Sequence, residues 1–264
     1  MTPPRAITFD FWDTLVRAPS AAETRSARRQ RLFDLLNESA VGPDDDALDA
    51  ALAEVRHAFD RHWHDNVQFS GEQGVALFLD VLGLEGDDEW RRRVTDGFIG
   101  VGDPSLPPLT DNIEGVLREL KARGVRLGII CDVGLAPSWI LRSYLERHGV
   151  LDAFDHWSFS DEVGVYKPDP VIFEHALTGL GVAAGEAAHV GDLRRTDVAG
   201  AMAFGMTAVR YAGSNDDAMP AGEGDRAMGV TTDGDALADA EAHAPEAHHV
   251  ITDHADLLGV LGFD

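Results

Sequence analysis

The sequence predicts an α/β fold in which a parallel sheet carries helices on both faces and accommodates an inserted helical subdomain. Three observations point there. From residue 112 onward, short apolar runs alternate with amphipathic helical stretches, the pattern of a parallel sheet covered on both sides. A strand-like run, Ile7 to Phe9, stands apart from this alternation near the N-terminus. Between the two lie roughly 80 residues with helical periodicity and no strand pattern.

Ile7 to Phe9 is β-branched and aromatic, and reads as a buried strand. It stops at a carboxylate, Asp10, followed by the turn Phe11-Trp12-Asp13-Thr14. The next segment is expected to be helical. Arg28 to Leu36 reads as one helix, with Leu32, Phe33, Leu35 and Leu36, and Asp44 to Phe59 as another, with Leu48, Leu52, Val55 and Phe59 in apolar steps of mostly three or four. Val75 to Leu82 and Trp90 to Phe98 supply two more. Gly42-Pro43 and Ser70-Gly71 interrupt the series, and the Pro-rich run Asp103 to Pro108 reads as a hinge. The expected organisation is therefore a core domain of residues 1–17 and 104–264 and a helical domain of residues 18–103.

After the hinge the alternation predicts a helix over Asn112–Arg123, a strand over Val125–Cys131, and a helix over Ser138–Arg147. A strand over His156–Ser160, a helix over Pro170–Leu180 and a strand over Ala187–Val190 follow. Next come a helix over Asp197–Phe204 and a strand over Thr207–Tyr211. Residues 213–247 read as a long acidic loop, with a last strand over His249–Thr252 and a closing helical turn over Asp256–Leu261.

Composition narrows the function. Acidic residues number 46 against 22 basic ones, a formal net charge of −24. Such a chain repels nucleic-acid phosphates and anionic membranes, so neither is an expected partner. An anionic substrate must be drawn in by local cations against that field. No run is long enough to span a bilayer, and the N-terminus lacks a basic-then-apolar signal, so a cytoplasmic location is the expectation. The lone cysteine, Cys131, excludes an internal disulfide.

Polar clusters sit at the ends of the predicted strands. Asp10 follows the first, Cys131-Asp132-Val133 the second, Lys167 lies in the turn after the third, and Asp192 with Asp197 follows the fourth. In a parallel sheet these turns open on one edge, where ligands bind, so Asp10, Cys131, Lys167, Asp192 and Asp197 are expected to converge.

With these residues in view, the chain resembles the haloacid dehalogenase-like (HAD) hydrolase superfamily, in the branch with a helical cap inserted after the first strand. The matching segments are Phe9 to Leu15, Leu127 to Gly134, Phe159 to Pro170 and His189 to Ala201. The resemblance implies a Rossmann-like core and a Mg²⁺-dependent hydrolase, foremost a phosphatase of small phosphate esters. It implies Asp10 as the nucleophile that forms an aspartyl-phosphate, and Lys167 as the cation holding nucleophile and phosphate. Asp10, Asp192 and the Trp12 backbone carbonyl are the implied metal ligands, with Asp197 in an outer, orienting role. A carboxylate meeting an anionic phosphate needs such cations, because they remove the charge repulsion of the approach.

Two departures stand out. The phosphatase pattern has an acid/base Asp two residues after the nucleophile; here that residue is Trp12, and Asp13 fills the slot usually held by Gly. Asp13 is thus a displaced candidate acid. A missing acid/base typically costs ~10²–10⁴-fold in rate. Cys131 replaces the usual Ser or Thr, and a thiol is a weak donor. The backbone amides of Asp132 and Val133 are then the expected phosphate donors, while the Asp132 carboxylate adds negative charge that needs a cation.

Substrate choice would fall to the cap. His57 and His64 share a helix face but have no matching third ligand, so Phe59 and Trp63 packing inward is the expected role of that stretch. Arg17 either reaches a substrate anion or closes a hinge salt bridge, and Arg194 and Arg195 offset charge beside Asp192. Trp12 leaves a dehalogenase open as an alternative, since an aromatic residue follows the nucleophile there at the same spacing. A non-catalytic binder of phosphoryl ligands is a further alternative, because fold alone does not confer activity. No motif sets an oligomeric state or names the alcohol of the ester.

Overall fold

The computed structural model describes residues 2–38, 42–214 and 244–263. Six strands, β1 (Ala6–Phe9), β2 (Arg126–Cys131), β3 (His156–Phe159), β4 (Ala187–Gly191), β5 (Thr207–Tyr211) and β6 (His249–Ile251), form one sheet. Their order is β3-β2-β1-β4-β5-β6, and every neighbouring pair is parallel. The chain moves outward from β1 to β3 on one side and then crosses to β4 on the other. The crevice between the ends of β1 and β4 is therefore the topological switch point, where open α/β sheets bind ligands.

Alternation along the strands sends side chains to two separate cores. Ile7, Phe9, Leu127, Ile129, Val190 and Val209 pack with Leu117, Leu120, Leu141 and Leu145, which lie on α5 (Ile113–Ala122) and α6 (Ser138–Arg147). Ala6, Ile130, Ala187 and Ala208 face the opposite way. They meet Ile172, Phe173, Ala176 and Ala201, on α8 (Pro170–Leu180) and α9 (Ala199–Phe204). Burial on both faces explains why these strands read as near-continuous apolar runs. The short α7 (Ser160–Val163) follows β3, and α10 (Leu257–Val260) closes the described chain.

The helical segment comprises α1 (Ala21–Leu36), α2 (Asp45–His64), α3 (Gly71–Leu82) and α4 (Asp88–Ile99). It has a core of its own, built on Leu32, Leu48, Val55, Phe59, Trp63, Phe78 and Phe98. Helices α1, α3 and α4 start earlier than their apolar runs suggest, because the polar residues before them are caps, whereas α2 starts where expected, with Asp44 as its cap. Ser20 and Glu23 form a capping box on α1, and Ser70 and Gln73 form one on α3. Asp44 and Asp87 cap α2 and α4 through the amides of Ala47 and Trp90. The helix predicted from Asp197 begins instead as a π turn, Arg194–Val198, that runs into α9. Asp197 causes this: its amide and that of Val198 both reach the Leu193 carbonyl, while its carboxylate accepts the Leu193 N–H at 3.0 Å.

The two chain crossings between sheet and helical segment lie side by side. Val16 bridges Leu109 in antiparallel fashion, and the Arg17 N–H donates to the Pro108 carbonyl at 2.8 Å. Most of the predicted acidic loop, residues 215–243, lies outside the described residues. Among the described residues no helix is long and apolar enough to cross a membrane.

Candidate active site

Asp10 follows β1 and Asp192 follows β4, on either side of the switch point. Lys167 comes from the turn after β3, and Asp197 from the π turn. All four are buried. Lys167 Nζ donates to Asp10 Oδ1 at 2.6 Å, to Asp197 Oδ1 at 2.6 Å and to the Ile130 carbonyl at 3.1 Å. Its three donors are therefore all used, and the ammonium cannot swing away. Carboxylate oxygens of Asp10, Asp192 and Asp197 lie within 4.8 Å of one another. The expected convergence of these residues is present.

Burial and like charge dominate the electrostatics. Burial pushes the Asp10 carboxyl up to about 7 against the pull of Lys167. Asp192 is driven well above the carboxylate range by burial and by the charges of Asp10, Asp197 and Asp13. Asp197 goes the other way: Lys167 and a hydrogen bond from His189 outweigh burial and hold it below the usual range. Burial lowers Lys167, but Asp10 and Asp197 outweigh it and keep the ammonium charged. The inner set of three carboxylates has one ammonium to balance it. A divalent cation with oxygen ligands would remove the repulsion that raises Asp10 and Asp192, so the residues present fit Mg²⁺.

Gly191 makes this proximity feasible. A Cβ there would stand 2.6 Å from Asp197 Oδ1 and 2.5 Å from Asp197 Cβ. No other residue type leaves Asp197 room to reach Lys167.

The remaining predicted residues take specific places. Asp132 Oδ1 accepts the Lys167 backbone N–H at 2.8 Å, so this carboxylate fixes the turn that delivers the lysine. Burial raises it to about 6, against the attraction of Lys167. The Val133 amide, expected to face a substrate anion, is instead donated to Ser160 Oγ at 2.7 Å. Cys131 is buried, and burial pushes its thiol well up, which leaves it a neutral packing group. Arg17 pairs with Asp111 at 2.8 Å, the hinge salt bridge of the two alternatives. The Trp12 ring meets Phe11 and Tyr144 edge-on.

Asp13 has φ of +53° in the left-handed region, and its Oδ1 accepts the Ala18 N–H at 3.1 Å. That conformation accounts for the glycine usual at this slot, since Asp is among the few other residues that tolerate it. Phe59 and Trp63 are buried in the helical core as expected.

Sequence reasoning missed His189 and Thr8. His189 Nε2 lies 3.0 Å from Asp197 Oδ1, and its Nδ1 lies 2.9 Å from Thr8 Oγ1. The available signal was a histidine inside an otherwise apolar strand, Ala187 to Gly191.

Comparison with known proteins agrees with this geometry. The family model described as haloacid dehalogenase-like hydrolase matches residues 4–205. The glyceraldehyde 3-phosphate phosphatase of Pyrococcus abyssi is 31% identical over 211 residues, covering 78% of this chain and 81% of its own. The protein of the same name from Methanothermobacter thermautotrophicus is 37% identical over 210 residues, covering 78% and 84%. Among solved structures, a HAD phosphatase from Thermococcus onnurineus superposes with a TM-score of 0.61 at 25% identity, over 98% of both chains. On the matched span, the sheet order and the cluster at the switch point, the chain belongs to the haloacid dehalogenase-like hydrolase family.

Proposed function

We propose that this hydrolase is a Mg²⁺-dependent phosphatase of small phosphomonoesters that works through an aspartyl-phosphate on Asp10. The observation that carries the reading is the buried Asp10–Lys167 contact at 2.6 Å with Asp192 beside it. The phosphatase names of the relatives support it. On this reading residues 18–103 form a cap, inserted after the first strand, over a core of residues 1–17 and 104–264.

Asp10, Asp192 and the Trp12 backbone carbonyl would hold the metal. When bound, Mg²⁺ neutralises phosphate charge and polarises its oxygens. Lys167, held by Asp10, Asp197 and Ile130, keeps the nucleophilic carboxylate in one orientation and lends positive charge to the phosphoryl oxygens. An Asp10 oxygen attacks phosphorus, the ester P–O bond breaks, and the alcohol oxygen leaves with the electron pair. Water then attacks the aspartyl-phosphate, releasing inorganic phosphate and restoring the carboxylate. Trp12 has no proton to give the departing oxygen. Asp13 is tied to Ala18, so we assign it to shaping the loop. The enzyme should therefore favour esters with good leaving groups.

The test is phosphate release from p-nitrophenyl phosphate with and without Mg²⁺, for wild type and Asp10→Asn. Metal-dependent turnover that vanishes in the variant supports the reading. Folded, Mg²⁺-loaded wild type without turnover rejects it. Halide release from 2-chloropropionate in the same assay would instead favour the dehalogenase alternative that Trp12 leaves open.

A further inference from the structure

Away from the Asp10 cluster, two imidazoles meet at the outer edge of the sheet. His156 opens β3 and His175 lies in the middle of α8. His156 Nε2 is 3.3 Å from His175 Nδ1, with the ring centroids 4.9 Å apart. Two periodicities produce the meeting. His156 and Ser158, two apart on the strand, share a face, and His175 and Gly179, four apart on the helix, share another. His156 therefore lies against Gly179, and Ser158 against His175.

Gly179 is what admits His156. A Cβ at that position would run into the His156 ring itself, at Cε1, Nδ1 and Cγ. Glycine weakens a helix interior, and here it leaves the space that the imidazole fills.

One nitrogen of the pair is overcommitted. The Oγ of buried Ser158 lies 2.8 Å from His175 Nδ1, the same atom that His156 Nε2 approaches. A ring nitrogen offers one lone pair or one hydrogen, so it cannot fully serve both partners. A cation between the imidazoles removes the conflict, because each ring then turns a lone pair to the ion and the Ser158 hydroxyl can bond an ion-bound water. The spacing suits such an ion: two nitrogens about 2.0–2.1 Å from one tetrahedral Zn²⁺ stand about 3.3 Å apart. Burial and the neighbouring His175 hold the His156 imidazole below its ordinary value, which favours the neutral form that a metal ligand needs.

We propose that His156 and His175 form a Zn²⁺ site that clips the edge strand β3 to α8. β3 stands two places from β1 in the sheet, so this site is separate from the Asp10 cluster and does not rest on the phosphatase reading. Among the described residues no third His, Cys, Asp or Glu joins the pair, so waters fill the remaining positions and the ion is exchangeable.

The test titrates Zn²⁺ by calorimetry into Mg²⁺-saturated protein, for wild type, His156→Gln, His175→Gln, Gly179→Ala and Asp10→Asn. Each of the first three variants should weaken Zn²⁺ binding at least about tenfold, and Asp10→Asn should leave it unchanged. Gly179→Ala is the decisive one: it keeps both imidazoles and favours the helix, yet its methyl group displaces the His156 ring. In wild type, Zn²⁺ should shift the imidazole ¹⁵N resonances of His156 and His175 together and raise the urea midpoint, and Gly179→Ala should lose both effects. Absence of Zn²⁺ binding, or binding that survives all three substitutions, overturns the inference. Binding lost only in Asp10→Asn also overturns it, by placing the ion in the Asp10 cluster.

Discussion

His189 and Asp197 are joined by a 3.0 Å contact to the same carboxylate oxygen that accepts Lys167 Nζ at 2.6 Å. An ionised carboxylate only accepts, so His189 must carry its hydrogen on Nε2. Its Nδ1 is then the acceptor for the Thr8 hydroxyl 2.9 Å away. The buried series Thr8–His189–Asp197–Lys167–Asp10 links the middle of the sheet to the nucleophile, and each group fixes the next.

Replacing His189 by Leu removes the bond that helps hold Asp197 in place and leaves Thr8 and Asp197 each short of a partner. Stability should fall by about 2 kcal/mol, the order expected for stranding a buried polar group, readable as a lower urea midpoint. Phosphatase kcat should fall about tenfold, as Lys167 loses its fixed anchor, with a smaller change in KM. A His189→Leu protein with wild-type kcat would show that the series stabilises the sheet without positioning Lys167.

Asp13 combines a left-handed backbone with a carboxylate spent on the Ala18 amide. If its role is to shape the loop, Asp13→Asn should fold normally and keep kcat within about threefold of wild type, because Asn tolerates the same φ. Asp13→Val should lose about 1–2 kcal/mol, the cost of forcing a β-branched residue left-handed. The competing role predicts a different result: a proton donor at this position would cost ~10²-fold or more in Asp13→Asn, chiefly on esters with poor leaving groups. Rates measured across a series of leaving groups separate the two.

How far the sequence reached follows from which contacts are local. Asp10, Lys167, Asp192 and Asp197 were readable because each is a polar residue just past an apolar strand, and parallel topology brings strand ends together. The engagement of the Val133 amide was not readable, since its partner Ser160 lies 27 residues away and nothing near Val133 announces it. Arg17 showed the same limit, its partner Asp111 being 94 residues distant. Three helix starts were under-read for another reason: Ser20, Ser70 and Asp87 stabilise helix ends through backbone bonds and leave no mark on hydrophobic periodicity.

The C-terminal segment supplies a further link to the first chain crossing, and it titrates. His254 Nε2 donates to the Thr14 carbonyl at 2.8 Å, and the Thr110 hydroxyl reaches the same carbonyl at 2.7 Å. The His254 ring stacks on Tyr211 with centroids 4.0 Å apart, and its Nδ1 is buried without a hydrogen-bond partner among the described residues. A proton on Nδ1 would therefore be desolvated and unpaired, and burial lowers the imidazole to about 4 from its ordinary 6.5. Between those two values the unfolded chain binds a proton that the folded chain refuses, so stability from this group is full above about pH 6.5 and declines as pH falls toward 4. The decline amounts to about 3 kcal/mol in total, at about 1.4 kcal/mol per unit. His254→Gln retains a donor for Thr14 and has nothing to titrate. Urea melts from pH 4.5 to 7 should show wild type losing stability more steeply than this variant as the solution is acidified. Parallel curves for the two proteins would mean that His254 takes up its proton without leaving the fold.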